Sequence, residues 1–298
     1  MDKLTLFSPG KINLYLKITG KRPDGYHELK TLMQAVELFD ELSIEKSNGG
    51  IEVTCDDPSI PGGSKNIVYK AAELLLGSLK SGVRIHLKKQ IPALAGLGGG
   101  SGNAAFALTG INSLFNLNTP ASKLESLALQ CGADVPFFLS PGRALAEGIG
   151  ERLTKIEYPE ELFIILVNPG ITKPSTKAIY ERFKFGLTKQ SVLDNNTLLD
   201  ISNNKLCGIL HNDLEPVVAE MYPVIYAIKE DLIKAGAKDA LMSGSGLTVF
   251  GLAGNHREAE AIAERLASKY KWVRAVKSFR GQAGTGGGYG DHGSKDSP

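Results

Sequence analysis

Apolar and polar positions alternate over the first nineteen residues, with Leu4 and Leu6, then Ile12, Leu14, Leu16 and Ile18 on one side. A period of two is that of a half-buried strand, and the Ser8-Pro9-Gly10 interruption predicts a break between two strands. Gly20 to His27 (GKRPDGYH) is dense in turn formers and predicts a loop, after which residues 28–46 read as extended. The period changes at 66–80. There Ile67, Ala71, Leu74 and Leu75 share one helical face, behind Asn66 as a side chain suited to cap it. Residues 82–91 alternate again until Pro92. Helices are predicted over 103–117 and 121–131, the second stopping at Gly132. Residues 135–166 read as extended, with Val135 biased that way by Pro136. Later helices are predicted near 175–184, 213–236 and 256–270, with strands at 239–252, turned at SGSG, and at 272–279. This mixed order predicts an α+β fold in place of a regular βα repeat, with a boundary loosely at 155–170.

Composition narrows the function classes. The 298 residues are 42% hydrophobic and carry 34 basic against 32 acidic side chains, a net charge of +2. That balance gives no broad electrostatic case for nucleic acid or a membrane surface. The cysteines Cys55, Cys131 and Cys207 form no CxxC pair, which argues against a zinc ribbon, a thioredoxin-type site or a disulfide scaffold. No apolar run approaches the roughly 20 residues of a membrane-spanning helix. MDKLTLFSPGKINLYL lacks a signal-peptide pattern, so a cytoplasmic protein is expected. Glycine is in excess, at 34 residues, and seven of these fall in the last 18 residues, GQAGTGGGYGDHGSKDSP. That tail has too little apolar surface to order itself. Its formal GxGxxG has no strand before it and no helix after it, which excludes a dinucleotide site.

Four segments carry candidate chemistry. In IPALAGLGGGSGNAAFALTGI (91–111), Gly96, Gly98, Gly99, Gly100 and Gly102 precede an apolar helix. Glycines let successive N–H groups face one point, and a helix N-terminus adds its own free N–H groups and dipole, so the segment suits a di- or triphosphate. No GK[ST] follows, so it is not a Walker A loop, and no βαβ unit surrounds it as a Rossmann site requires. In SPGKINLYLKITGKRPDGYHEL (8–29), Lys11, Asn13, Tyr26 and His27 lie at two loop edges and fit a polar pocket. In LALQCGADVPFFLSPGRALAEGIGERL (127–153), Asp134 precedes Val-Pro-Phe-Phe, where a carboxylate is costly unless paired or working. In DALMSGSGLTVFGL (239–252), a second small-residue loop interrupts a β-like run.

Together these segments resemble the GHMP kinase superfamily, whose three motifs correspond to SPGKINLYL, PALAGLGGGSGNAA and LMSGSGLTVF. Within it, RPDGYHEL, GLGGGS, CGADVPFF, AEGIGERL and PSTKAIY resemble the branch acting on 4-diphosphocytidyl-2-C-methyl-D-erythritol. The resemblance spans residues 8–250. It implies transfer of the ATP γ-phosphoryl group, with Mg²⁺, to the 2-hydroxyl of that small molecule, a step of the non-mevalonate isoprenoid route. It also implies two domains, 1–160 (ATP-binding, ribosomal-protein-like) and 161–280 (ferredoxin-like), with an active site in the cleft; the tail at 281–298 has no counterpart in the family, and its composition alone makes it expected to be disordered. Asp134 matches the catalytic carboxylate. Lys11 matches the lysine that would hold it ionised and help polarise the hydroxyl. On the nucleotide side the resemblance assigns Gly96, Leu97, Gly98, Gly99, Gly100 and Ser101 to the phosphate loop, Asn66 and Lys89 to positions near the adenosine, and Ser245 and Gly246 to the third motif. On the substrate side it assigns Asn13, Tyr26, His27, Thr176 and Tyr180, with His27 bonding the cytosine and the two tyrosines as walls.

Two positions depart from the family pattern. Gly102 stands where GGGSS[DN]AA has its second serine, and Leu247 stands where proline or alanine is common. The alternatives are a homoserine- or mevalonate-type kinase, or a nucleotide-binding regulator on the same scaffold. The GYH and PSTKAIY stretches oppose the first, because acyclic substrates need no aromatic walls. Intact Lys11 and Asp134 oppose the second.

Overall fold

The computed structural model describes residues 2–77, 81–158, 160–185 and 209–281; Cys207 and nearly all of the expected tail lie outside them. Two long strands, β1 (Lys3–Lys21) and β2 (His27–Ser47), form an antiparallel hairpin whose register runs from Lys3 opposite Glu45 to Lys21 opposite His27. The break predicted at Ser8-Pro9-Gly10 is a slip of register between Pro9 and Gly10 inside one continuous strand. Pro9 has no N–H to give the ladder, so pairing is disturbed there without ending the strand.

The other edge of β2 is shared. Residues 41–47 pair with β4 (Gly82–Lys88), and residues 29–34 pair with β5 (Arg143–Gly148). β3 (Ile51–Cys55) extends β4 in parallel, and β6 (Arg152–Lys155) extends β5. On this sheet pack α1 (Ile67–Leu76), α2 (Gly99–Leu114) and α3 (Ala121–Cys131). Asn66 caps α1 as predicted, accepting from the Val68 N–H at 2.9 Å.

A second, all-antiparallel sheet has the order β11-β7-β10-β9, with β7 (Phe163–Asn168), β9 (Asp239–Met242), β10 (Val249–Ala253) and β11 (Trp272–Lys277). Its core takes side chains from α4 (Thr176–Arg182), α5 (Glu215–Met221), α6 (Val224–Ala235) and α7 (His256–Ala267). The helix predicted over 213–236 is therefore two, parted where Pro223 cannot continue the first. The extended reading of 135–166 holds for β5, β6 and β7, but Pro136–Leu139 forms a 3-10 turn that buries Phe137 and Phe138.

The two sheets are not separate bodies. A third apolar cluster joins Ile12, Leu14, Leu32 and Val36 of the first to Ile164, Leu166, Leu241 and Phe250 of the second. The chain also returns to β1 at β8 (His211–Asn212), which pairs in parallel with Tyr15 and Leu16. β8 leads into Asp213, a buried carboxylate that accepts from the Ile18 N–H at 2.8 Å and pairs with Lys17 at 3.2 Å. Among the described residues no helix is long and apolar enough to cross a membrane. Cys55 and Cys131 are free thiols whose pKa burial pushes up.

Candidate active site

The phosphate-loop segment begins its helix at Gly99, four residues before the predicted start at Asn103. Glycine disfavours a helix by about 1 kcal/mol per residue, so local propensity delays the start. Close packing decides otherwise. A Cβ on Gly99 would lie 3.0 Å from Ile91 Cγ2, and one on Gly98 would lie 2.8 Å from Phe138 Cζ. Gly96 and Gly98 hold φ of +79° and +69°, and a Cβ on Gly96 would overlap the Ser243 carbonyl oxygen. The first turn of α2 has no acidic side chain and no side-chain cap, so no side chain of its own offsets the positive end of the helix dipole there.

Gly102 has a partner for its departure from the family pattern. A Cβ there would lie 2.5 Å from Ser8 Oγ, a fully buried hydroxyl without a hydrogen-bond partner. Ser8 occupies the space that a side chain at 102 would need. Gly102→Ser is therefore expected to destabilise the protein by about 1–3 kcal/mol, the range of core overpacking. Adding Ser8→Ala should restore most of it. Thermal melts of the two variants check this, and a single variant as stable as the parent would contradict it.

The second loop, Ser243-Gly244-Ser245-Gly246, lies between β9 and β10 and docks edge-on against the first. Ser243 Oγ donates to the Gly96 carbonyl at 2.9 Å, and the Thr248 N–H donates to Ala95 O at 3.2 Å. Asn212 fastens it from β8, giving its amide to the Met242 and Gly244 carbonyls at 2.7 and 2.8 Å. The bulge in β1 brings the strand to the same place. The Lys11 N–H donates to Leu97 O at 2.8 Å, and the Asn13 N–H donates to Ser243 Oγ at 3.3 Å.

Lys11 and Asp134 meet at this junction. Lys11 is 4% exposed; its Nζ donates to Asn13 Oδ1 at 2.5 Å and lies 3.6 Å from Asp134 Oδ2. Asn13 is held in that orientation because its Nδ2 donates to Thr31 Oγ1 at 2.8 Å, which in turn donates to Tyr15 O at 2.6 Å. Asp134 follows the end of α3 and is 42% exposed, open to a reactant while its cation is buried. Gly132, which ends α3, is extended at φ 171°, so its role there is not a left-handed cap.

Beside the pair stands an aromatic group. The His27 ring lies 5.6 Å from that of Tyr180 and 6.3 Å, edge-on, from that of Phe183. Burial, then the charge of Lys21, lowers the pKa of His27 and favours the neutral ring. The Tyr180 hydroxyl is pushed up by burial and then by the charge of Asp134, which ties this wall to the carboxylate. Tyr26 is 59% exposed at the hairpin turn, outside the ring cluster. Phe183, just past α4, supplies the further ring, and the sequence reading missed it.

Two residues expected near a nucleotide have structural bonds. Besides capping α1, Asn66 donates to Pro61 O at 2.8 Å. The Lys89 ammonium pairs with buried Asp40 and donates to Asn103 Oδ1 at 3.0 Å, bracing the start of α2 from below. Thr176 and Ser245 hydroxyls lie 3.0 Å apart, and the same Ser245 Oγ accepts from Lys173 Nζ at 3.0 Å. Lys173 was not singled out by the sequence. It is buried, and desolvation, then the charge of Lys11, lowers its pKa to about 8.

Known proteins resemble this chain in sequence and in fold. The chain matches the GHMP kinases N terminal domain over residues 66–142 and the GHMP kinases C terminal domain over 196–271. The 4-diphosphocytidyl-2-C-methyl-D-erythritol kinase of Citrifermentans bemidjiense is 43% identical over 279 residues, 93% of this chain and 99% of its own. The chain belongs to the GHMP kinases. Members of this family take their phosphoryl group from ATP. The same-named kinase of Acetivibrio thermocellus is 44% identical to this GHMP kinase, over 87% of this chain and 93% of its own. A solved 4-(cytidine 5'-diphospho)-2C-methyl-D-erythritol kinase superposes with a TM-score of 0.79 at 32% identity, covering 93% of this chain and 100% of that one. A homoserine kinase from Cytophaga hutchinsonii, at 21% identity and a TM-score of 0.72 over 95% and 96% of the two chains, shares the fold. The α+β GHMP kinase fold expected from the sequence is the one observed.

Proposed function

We propose that this GHMP kinase transfers the γ-phosphoryl group of ATP to the 2-hydroxyl of 4-diphosphocytidyl-2-C-methyl-D-erythritol, giving the 2-phosphate and ADP, within non-mevalonate isoprenoid synthesis. The observation that carries the reading is the 3.6 Å Lys11–Asp134 pair at the junction of two glycine loops, with the His27–Tyr180 ring pair beside it. Relatives bearing that activity in their names support it over nearly the whole chain.

Phosphoryl transfer asks a protein chiefly for positioning and charge stabilisation. Gly96 to Ser101 and the first turn of α2 would hold the triphosphate, and Ser245 and Gly246 would close on it from the second loop. Asp134, exposed on one side, would orient the acceptor hydroxyl and take its proton. Lys11 would steady that carboxylate and polarise the hydroxyl, with Asn13 fixing its ammonium. His27, Thr176 and Tyr180 would form the cytidine pocket; a neutral imidazole can both donate to and accept from a base. Tyr26, at the exposed turn, would reach the base only from the pocket rim. Asn66 and Lys89 would border the adenosine through the elements they brace.

Mg²⁺ fits as an ion delivered with ATP. It needs few protein ligands when phosphates and water supply the rest, and among the described residues no cluster of three ligating side chains exists. The Asp134 carboxylate and the Ser101 hydroxyl would be candidate oxygen donors to it, and the ion would neutralise phosphate charge. The division 1–160 and 161–280 is proposed as the domain boundary, falling between β6 and β7.

The test is ADP release with the cytidyl substrate, run beside homoserine and mevalonate. Turnover of the cytidyl compound alone is expected. Turnover of a competitor in its absence overturns the reading.

A further inference from the structure

The loop from β7 to α4 is folded against its own hydrophobicity. It leaves Ile171 47% exposed and buries Lys173 to 6% exposure, while Thr172, Pro174, Ser175 and Thr176 are exposed. Burying an ammonium while an isoleucine faces water is unfavourable unless the charge has work to do.

The neighbouring lysines show what is missing. Three lysine side chains are buried around the two loops among the described residues. Lys89 pairs with Asp40, and Lys11 pairs with Asp134. Lys173 forms no salt bridge among the described residues; it donates to the Ser245 hydroxyl at 3.0 Å and approaches the Pro174 carbonyl at 3.5 Å. Its next charged influence is repulsive, from Lys11. The Ser245 hydroxyl is itself shared with Thr176 and belongs to the second glycine loop. Among the described residues this corner therefore holds a buried positive charge without a counter-charge, and its partner Ser245 adjoins Gly244, where a Cβ would lie 3.1 Å from Asn13 Oδ1 and 3.3 Å from Lys11 Nζ.

We propose that Lys173 is an additional active-site cation that binds an anionic phosphate oxygen of the reactants, opposite Lys11. This rests on the kinase reading above. Two phosphates are within that chemistry: the γ-phosphoryl group in transit and the diphosphate of the cytidyl substrate. With either in place the ammonium gains its missing counter-charge, and the Ser245 hydroxyl becomes free to donate to the same anion.

The test compares the parent with Lys173→Met, which keeps the length and apolar stem, and Lys173→Arg, which keeps the charge. A charged hydrogen bond lost from a bound phosphate corresponds to roughly a 10- to 100-fold loss. In Lys173→Met, kcat/KM for the cytidyl substrate should fall by that factor, and Lys173→Arg should recover much of it. A fall in kcat with both KM values held assigns the transferred phosphoryl group. A raised KM for the cytidyl substrate, with weaker binding of cytidine 5'-diphosphate and unchanged binding of a non-hydrolysable ATP analogue, assigns the diphosphate. The ligand-free Lys173→Met protein should melt higher than the parent, since an unpaired buried charge is gone. Methionine kinetics and binding within twofold of the parent, in a folded variant, overturn the inference. If the parent itself fails to turn over the cytidyl compound, the kinase reading fails, and the two binding measurements still decide whether Lys173 holds phosphate.

Discussion

Asp134→Asn should lower kcat by roughly 10²–10⁴-fold, the usual loss when a positioned acid–base group is removed. The change keeps the shape of the side chain and deletes only its charge and proton affinity. Lys11 would keep its 2.5 Å bond to Asn13, so the ammonium should stay where it is. The carboxylate is 42% exposed and takes no part in the Ser243–Gly96 and Thr248–Ala95 bonds that lock the two glycine loops together, so ATP should bind within a few-fold of the parent affinity. Single-turnover measurements paired with titration of a non-hydrolysable ATP analogue separate the two effects. A kcat near that of the parent would remove Asp134 from the mechanism.

Lys11→Met carries the second large effect. Its ammonium is buried between an amide oxygen and a carboxylate, so methionine leaves Asn13 Oδ1 without a donor and Asp134 without its cation. Removing one electrostatic stabiliser of a transition state typically costs about 10²–10³ in kcat. The methionine stem still fills the space beside Gly98, where an added Cβ would lie 3.0 Å from Lys11 Cγ, so the loop should hold its shape. The informative measurement is the double variant with Asp134→Asn. Groups that act as one unit lose far less together than the product of their separate losses. A fully multiplicative double variant would mean that the two work independently.

Much of this was legible from one chain, for identifiable reasons. The strands within residues 1–19 and 28–46 were legible from their β-rich pattern, although both are buried on the two faces through their middles, where the second sheet covers them, and Asn66 announced the start of α1 through its own side chain. β3 was missed because it is a short edge strand with only Val53 buried. The start of α2 was misplaced because three glycines read as loop, whereas at Gly99 and Gly102 neighbours distant in sequence crowd the place of a Cβ. Of the site, Lys11 and Asp134 were visible in motifs. Asn212 and Lys173 were not, since their meaning lies in bonds to the 242–245 loop, which no local pattern encodes.

The β1 bulge has a consequence for the order in which the molecule is made. Lys11 and Asn13 stand near the start of the chain, yet the loop that completes their surroundings begins at Ser243, and β8 joins β1 only at residue 211. Domains generally form as the chain emerges, but contacts of such separation must wait for their partners. A nascent chain can therefore build the hairpin, the first three helices and the phosphate loop while remaining chemically silent. On the proposed reading the second loop reaches Gly96 and Asn13 only when the last sheet arrives, so phosphoryl transfer would report that the whole chain has folded.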